Sequence, residues 1–287
     1  MLALAAFLSA AQSTGSNIFA NHAYYVNPSF QKDIDHAMKN QTGTTLANLK
    51  KMRGVGSAHW VSAKKDVSSV GPILDAAAAM SPPPLVVFVI YNLPNRDCDA
   101  NNSKGEFCCT TKPDGTCDYL APGNCSTGLA QYAKEFIDPI AAAFKQHSAT
   151  VPIAVVLEPS SIPNLATNLK NPACANTATT SSYTLGLPYA VNAFAAAAPK
   201  AGLYIDAAHG AWLGWESNAQ AYATLLSTLR VSDKLRGLAT NVANYQPLGT
   251  PCPSSAFDDK MHNFCSSAGA GNACCNDPCA LLAQWSR

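Results

Sequence analysis

Charge is scarce in this chain. Only 13% of its 287 residues are Asp, Glu, Lys or Arg, and 19 basic against 18 acidic side chains leave a formal net charge of +1. Neutralising a phosphate backbone or an anionic membrane surface takes clustered Lys and Arg, so nucleic acid is excluded as a partner. No apolar run approaches the ~18 residues of a spanning helix, and no membrane partner is expected. A Gly-rich phosphate loop is missing, as is a spaced His/Cys ligand set, so no nucleotide, metal or other cofactor is expected.

Apolar residues, by contrast, make up 48% of the chain, enough to bury one sizeable core. A chain of this length suits one large domain, such as a β/α barrel. Low charge combined with many Asn, Ser, Thr, Gly and Pro suits a neutral polymer as partner, such as a polysaccharide. The 11 cysteines are many for an intracellular enzyme. Two of their pairs are vicinal, Cys108–Cys109 and Cys274–Cys275, and neighbours cannot easily face one tetrahedral metal. Disulfides in an oxidising compartment are the expected use, and the odd count leaves one thiol over or a partner missing from this chain. Residues 1–11 are Leu- and Ala-rich and precede small polar residues, so residues 1–13 are read as a signal peptide that lacks its basic start. A helical turn is the alternative. Sequons at Asn40, Asn101 and Asn124 are compatible with a secreted, extracellular protein.

Four runs read as strands: 84–91 (PLVVFVIY), 152–157 (PIAVVL), 202–206 (GLYID) and 237–242 (GLATNV). Each is short and continuously apolar, as strands covered on both faces are. Between them, 127–146, 183–197 and 219–229 carry helical periodicity. Upstream, 33–51 reads as a helix leading into a short strand near 57–62. Strand alternating with helix predicts a parallel β/α sheet or barrel. In such folds chemistry gathers at the C-terminal strand ends, and polar residues fall there four times: Asn92 to Asp97, Glu158 to Ser161, Asp206 to His209, and Asn241 with Asn244-Tyr245. That convergence points to a functional cleft. Two Cys-rich loops, 101–126 and 246–277, are either lids over the rim or stapled surface decoration.

The rim segments also resemble a known family. YNLPNRDC at 91–98 with SKGE at 103–106 is similar to the first signature of glycoside hydrolase family 6, the cellobiohydrolases and endoglucanases of β-1,4-glucan. EPSS at 158–161 with NLATNL at 164–169 resembles the second. LYIDAAH at 203–209 with WLGW at 212–215 resembles the third, and RGLATNVANY at 236–245 a fourth block, all in family order. The resemblance implies an α/β fold, a distorted parallel β/α barrel of the family 6 cellulase type. It implies residues 14–287 as a partial hydrolase domain, a monomer acting on β-glucan or cello-oligosaccharide. Inversion needs a carboxylic acid to protonate the leaving oxygen while water attacks the opposite face.

Residue by residue, the family's acid position holds Ser160, whose hydroxyl cannot serve as that acid near neutrality. Asp97 matches the second catalytic aspartate. Tyr91 matches the tyrosine pressing on the distorted sugar, and Ser103 a loop serine that positions water. Asp206 and His209 match sugar-contacting groups, and Asn241 is placed with them. Trp60, Trp212 and Trp215 resemble the indoles that stack on glucose rings. Cys98 and Cys174 match a family disulfide. Read from residues alone, His209 could equally be a core histidine, Glu158 a structural group, and Trp212 with Trp215 one buried helix face. The family also extends past the fourth block, so the chain is expected to be a truncated product lacking the last strands. The resulting expectation is an impaired β-1,4-glucan hydrolase; the alternatives are a non-catalytic β-glucan-binding pseudoenzyme or a non-functional gene fragment.

Overall fold

The computed structural model describes residues 17–20, 22–100 and 103–243. Residues 1–13, Asn101, Asn244, Tyr245, the 246–277 loop and the cysteines from Cys252 to Cys279 lie outside the described residues. Five strands, β1 (His59–Val61), β2 (Val86–Ile90), β3 (Ile153–Leu157), β4 (Gly202–Asp206) and β5 (Gly237–Ala239), form one all-parallel sheet in chain order. Each new strand adds to the same edge, which is the wall of a barrel. Among the described residues the wall does not close.

The register sets both faces. Trp60 pairs with Val89, Val89 with Val156, Val156 with Tyr204, and Tyr204 with Gly237. Alternation puts this row on the barrel interior and leaves Phe88, Val155, Leu203 and Ile205 for the helices outside. Phe88 meets Phe144 at 5.3 Å between ring centroids, and Phe144 meets Phe194 at 5.0 Å. Both faces of the central strands are therefore covered, which is why their sequences read as continuous apolar runs.

The helices depart from expectation at identifiable residues. The stretch read as one helix over 33–51 is two, α1 (Pro28–Ala37) and α2 (Gly43–Met52). Asn40 and Gly43, at φ 65° and 56°, turn the backbone left-handed between them. After α3 (Val67–Ala78), the helix expected at 127–146 runs as α4 (Ser126–Tyr132), a π turn (Ala133–Ile137) and α5 (Asp138–His147). Pro139 has no N–H for a carbonyl of the preceding turn, so the ladder widens there. Next come α6 (Ser161–Thr167), α7 (Pro172–Ala175) and α8 (Thr177–Ala197). The last begins well before the expected 183, because the Asn176 side chain caps it by accepting from the Ala178 N–H. Two further helices, α9 (Gly210–Leu213) and α10 (Glu216–Thr228), complete the layer.

One ion pair fixes that layer. His147 on α5 faces the Ala143 carbonyl through Nδ1 and the Asp75 carboxylate of α3 through Nε2, each at 2.8 Å. Both partners only accept, so the ring that satisfies both carries two protons. Burial pulls the imidazole pKa down, but the two hydrogen bonds outweigh it and the pKa is raised. The stabilisation is thus full below the ordinary histidine pKa and fades as pH climbs through the raised folded value. His147→Gln is expected to cost about 1 kcal/mol at pH 5.5 and less at pH 9, read from denaturant midpoints at the two pH values.

Candidate active site at the strand ends

The C-terminal ends of β2 to β5 share a backbone peculiarity. Of the eight described non-glycine residues with positive φ, six stand here: Asn95, Asp97, Glu158, Ser160, Ala208 and Asn241. Such conformations cost energy and persist only where surrounding contacts over-determine them. The contacts are present. Asn95 is fully buried, taking the Cys109 N–H at 3.0 Å and donating to Thr179 at 3.2 Å, while its carbonyl accepts from Tyr183 at 2.7 Å.

Glu158 follows β3 and is 1% exposed. Its carboxylate accepts the Asn92 N–H at 3.0 Å, the Leu93 N–H at 3.1 Å and the Tyr132 hydroxyl at 2.7 Å. The β3 rim is thereby fastened to the start of the segment that carries Asp97. Burial pushes the Glu158 pKa up to about 7, against these three hydrogen bonds and the positive Arg96. Arg96 secures the same segment from the cleft side. It donates from Nη1 to the Ser62 carbonyl at 2.6 Å and to the Tyr91 carbonyl, and from Nε to the Ser103 carbonyl at 2.8 Å. Its guanidinium lies 4.3 Å from the Tyr91 ring centroid.

Tyr91 and Asp97 meet directly, the hydroxyl donating to Asp97 Oδ2. Burial, then the Asp97 charge and hydrogen bond, drive the Tyr91 pKa far up, and the Ser103 hydroxyl lies beside it. Trp60, the middle residue of β1, stands edge-on to Tyr91 at 5.9 Å and is 41% exposed. These four side chains share one corner of the rim.

The ends of β3 and β4 hold Ser160 and Asp206. Asp206 ends β4, 1% exposed, and its Oδ2 accepts the Ser160 N–H at 2.8 Å and the Ala208 N–H at 3.1 Å. Its Oδ1 is buried with no partner among the described residues. Burial lifts its pKa to about 6, again against its hydrogen bonds. His209 Nδ1 and Asn241 Oδ1 are likewise buried and unpartnered, and the Asn241 N–H reaches the Ala208 carbonyl at 2.7 Å. Burial holds the His209 pKa below the ordinary value.

The tryptophans differ from the picture of one helix face. Trp212 lies in α9 with Nε1 donating to Thr167 and its ring 6.0 Å from His209, whereas Trp215 is the extended residue before α10. Gly214 ends the first helix between them. Both rings are half-buried.

Among the described residues three disulfides pin the loops. Cys98 is bonded to Cys174, Cys108 to Cys117 and Cys109 to Cys125. The vicinal Cys108 and Cys109 thus point to different partners. Tyr119 within this loop donates to the Arg96 carbonyl at 2.7 Å, so the loop is packed against the Asp97 segment. Arg96, Asn95 and Tyr119 are site residues to which sequence reasoning gave no role, and Glu158 was left open between a structural and a catalytic one. Asn95 and Arg96 had a signal in the first signature and Glu158 in the second, whereas Tyr119 had none.

Known proteins carry the same frame. The family model described as Glycosyl hydrolases family 6 matches residues 19–267. A 1,4-beta-D-glucan cellobiohydrolase of Podospora anserina is 33% identical over 259 residues, 88% of this chain and 59% of that protein. The catalytic core of a cellobiohydrolase from Chaetomium thermophilum superposes with a TM-score of 0.69 at 28% identity, over 84% of this chain and 64% of that one. An endoglucanase from Humicola insolens gives 0.67 at 28% identity, over 84% and 67%. The chain therefore spans well under two thirds of the Podospora relative's length. With four signature blocks, a parallel barrel wall and these matches in agreement, the chain belongs to glycosyl hydrolase family 6.

Proposed function

We propose that this chain is a secreted β-1,4-glucan hydrolase of inverting mechanism whose cleavage is slowed because Ser160 stands where the general acid belongs. One observation carries the reading: the Tyr91–Asp97 pair and position 160, itself fixed on Asp206, stand on one rim of parallel strands. Asp97 is the carboxylate that would stabilise the oxocarbenium-like transition state, and Tyr91 would press on the distorted sugar. Ser103, beside Tyr91, would position the attacking water. Asp206, His209, Asn241, Trp212 and Trp215 supply the polar and aromatic lining for neighbouring glucose units. The partner is a cello-oligosaccharide or β-glucan chain, met by a monomer. Three disulfides suit an extracellular setting, and residues 14–287 would form the hydrolase domain after a leader at 1–13.

A second reading is favoured by Trp60, a large exposed ring beside a site without its acid: a non-catalytic β-glucan-binding protein. Both readings require sugar binding. Calorimetric titration with cellotetraose is expected to show it, and Trp60→Ala to weaken it about tenfold through loss of the stacking face. No heat of binding by the unaltered chain would remove both.

A further inference from the structure

We propose that Asp206 is the residual proton source of this enzyme, delivering its proton to the leaving glycosidic oxygen through one water lodged beside the Ser160 hydroxyl. The inference rests on the hydrolase reading above and names the group that would let it turn over at all.

The geometry starts from the 2.8 Å hydrogen bond between the Ser160 N–H and Asp206 Oδ2. That bond holds the Asp206 carboxyl against the residue from which the family acid would extend. Serine is shorter than aspartate by one carboxyl group, and the bridging water would take that group's place. Asp206 uses only one of its oxygens. Oδ2 takes both backbone N–H groups, and Oδ1 is buried with no partner among the described residues. A buried carboxyl oxygen without a partner calls for a water or a proton of its own. Asp97, the other carboxyl of the cleft, already accepts the Tyr91 hydroxyl.

The electrostatics agree. Burial raises Asp206 to about 6, so the protonated form is well populated in mildly acidic solution. The titratable groups around it do not replace it. The Tyr222 hydroxyl of α10 donates to the Asp206 backbone carbonyl at 2.9 Å and is held far above its ordinary pKa by burial. His209, three residues on, has its pKa held below the ordinary value by burial. Glu158, just after β3, is committed to Asn92, Leu93 and Tyr132. A buried carboxyl poised above its usual range has the acidity a general acid needs, and one bridging water would supply the reach.

In the step itself, Oδ1–H passes its proton to the bridging water, which hands one on to the glycosidic oxygen as the C–O bond breaks. The bond's electron pair stays on that oxygen. A second water supplies the oxygen that joins the anomeric carbon and releases its proton to solvent, from which Asp206 is reprotonated.

The test compares a poor and a good leaving group in the full chain: cellotetraose, which needs an acid, and 2,4-dinitrophenyl β-cellobioside, which does not. Asp206→Asn is expected to lower kcat/KM for cellotetraose at least ~10²-fold more than for the dinitrophenyl substrate. In the unaltered chain, cellotetraose hydrolysis should fall on the alkaline side of a midpoint near 6, a limb the dinitrophenyl substrate lacks. That pH profile decides the matter if the variant does not fold. Equal losses on both substrates, no loss, a missing alkaline limb, or no hydrolysis of cellotetraose by the unaltered chain would each overturn the proposal. Calorimetric binding of cellotetraose then tells whether the glucan reading has failed with it: retained binding sinks the proton source alone.

Discussion

Replacing Ser160 with Asp is expected to raise soluble-sugar release from amorphous cellulose by ~10²–10⁴-fold, the usual worth of a positioned general acid. The backbone is ready for the change. Residue 160 sits at φ 65°, a left-handed conformation that aspartate tolerates better than most side chains, and its N–H is already anchored on Asp206. The new carboxyl would emerge beside Asp206, which burial has lifted to about 6. Two carboxyls in such proximity cannot both ionise easily, so one of the pair is kept protonated, as proton donation demands. A general acid matters most for poor leaving groups, so the gain should be large on cellotetraose and small on 2,4-dinitrophenyl β-cellobioside. High and equal activity before and after the substitution would mean that position 160 was never where the acid is needed.

The barrel wall was legible because each strand is a separate apolar run, PLVVFVIY, PIAVVL and GLYID among them, and burial on both faces leaves that mark on sequence. The last run was read too far, to 242, because Thr240 and Asn241 look no different from strand residues until the backbone turns to φ 59° at Asn241. Left-handed turns at Asn40, Asp97, Glu158 and Ser160 leave no compositional trace, since each residue type has many other uses. The functional motifs were visible as strings, and the vicinal cysteines spoke against a shared metal. What holds the motifs was not visible. The Glu158 site joins residues 92, 93, 132 and 158, which come from a strand end, a helix and a rim loop far apart in the chain. Trp212 and Trp215 looked like one helix face because spacing is silent on where a helix stops, and here it stops at Gly214.

Glu158→Gln should change the pH dependence of stability more than any other single substitution at the rim. In the folded chain burial raises Glu158 to about 7, whereas the unfolded chain leaves it at its ordinary value of 4.5. A raised folded pKa means that the folded state holds the proton more tightly. The stability tied to that proton is therefore complete below about 4.5 and drains away as pH rises through about 7. The shift corresponds to a difference on the order of 3 kcal/mol. Glutamine does not titrate, so it lacks this loss. It also presents an amide N–H₂ to neighbours that are all donors, Asn92, Leu93 and Tyr132, which lowers its stability by a roughly constant amount at every pH. The variant is thus expected to be the less stable protein at pH 4.5 and to close the gap, or pass the unaltered chain, by pH 8. Urea midpoints measured across that range check it. A difference that stays flat from pH 4.5 to 8 would mean that the Glu158 carboxylate is ionised throughout, its three donors outweighing its burial, and that the fastening of the β3 rim to the Asp97 segment does not respond to pH.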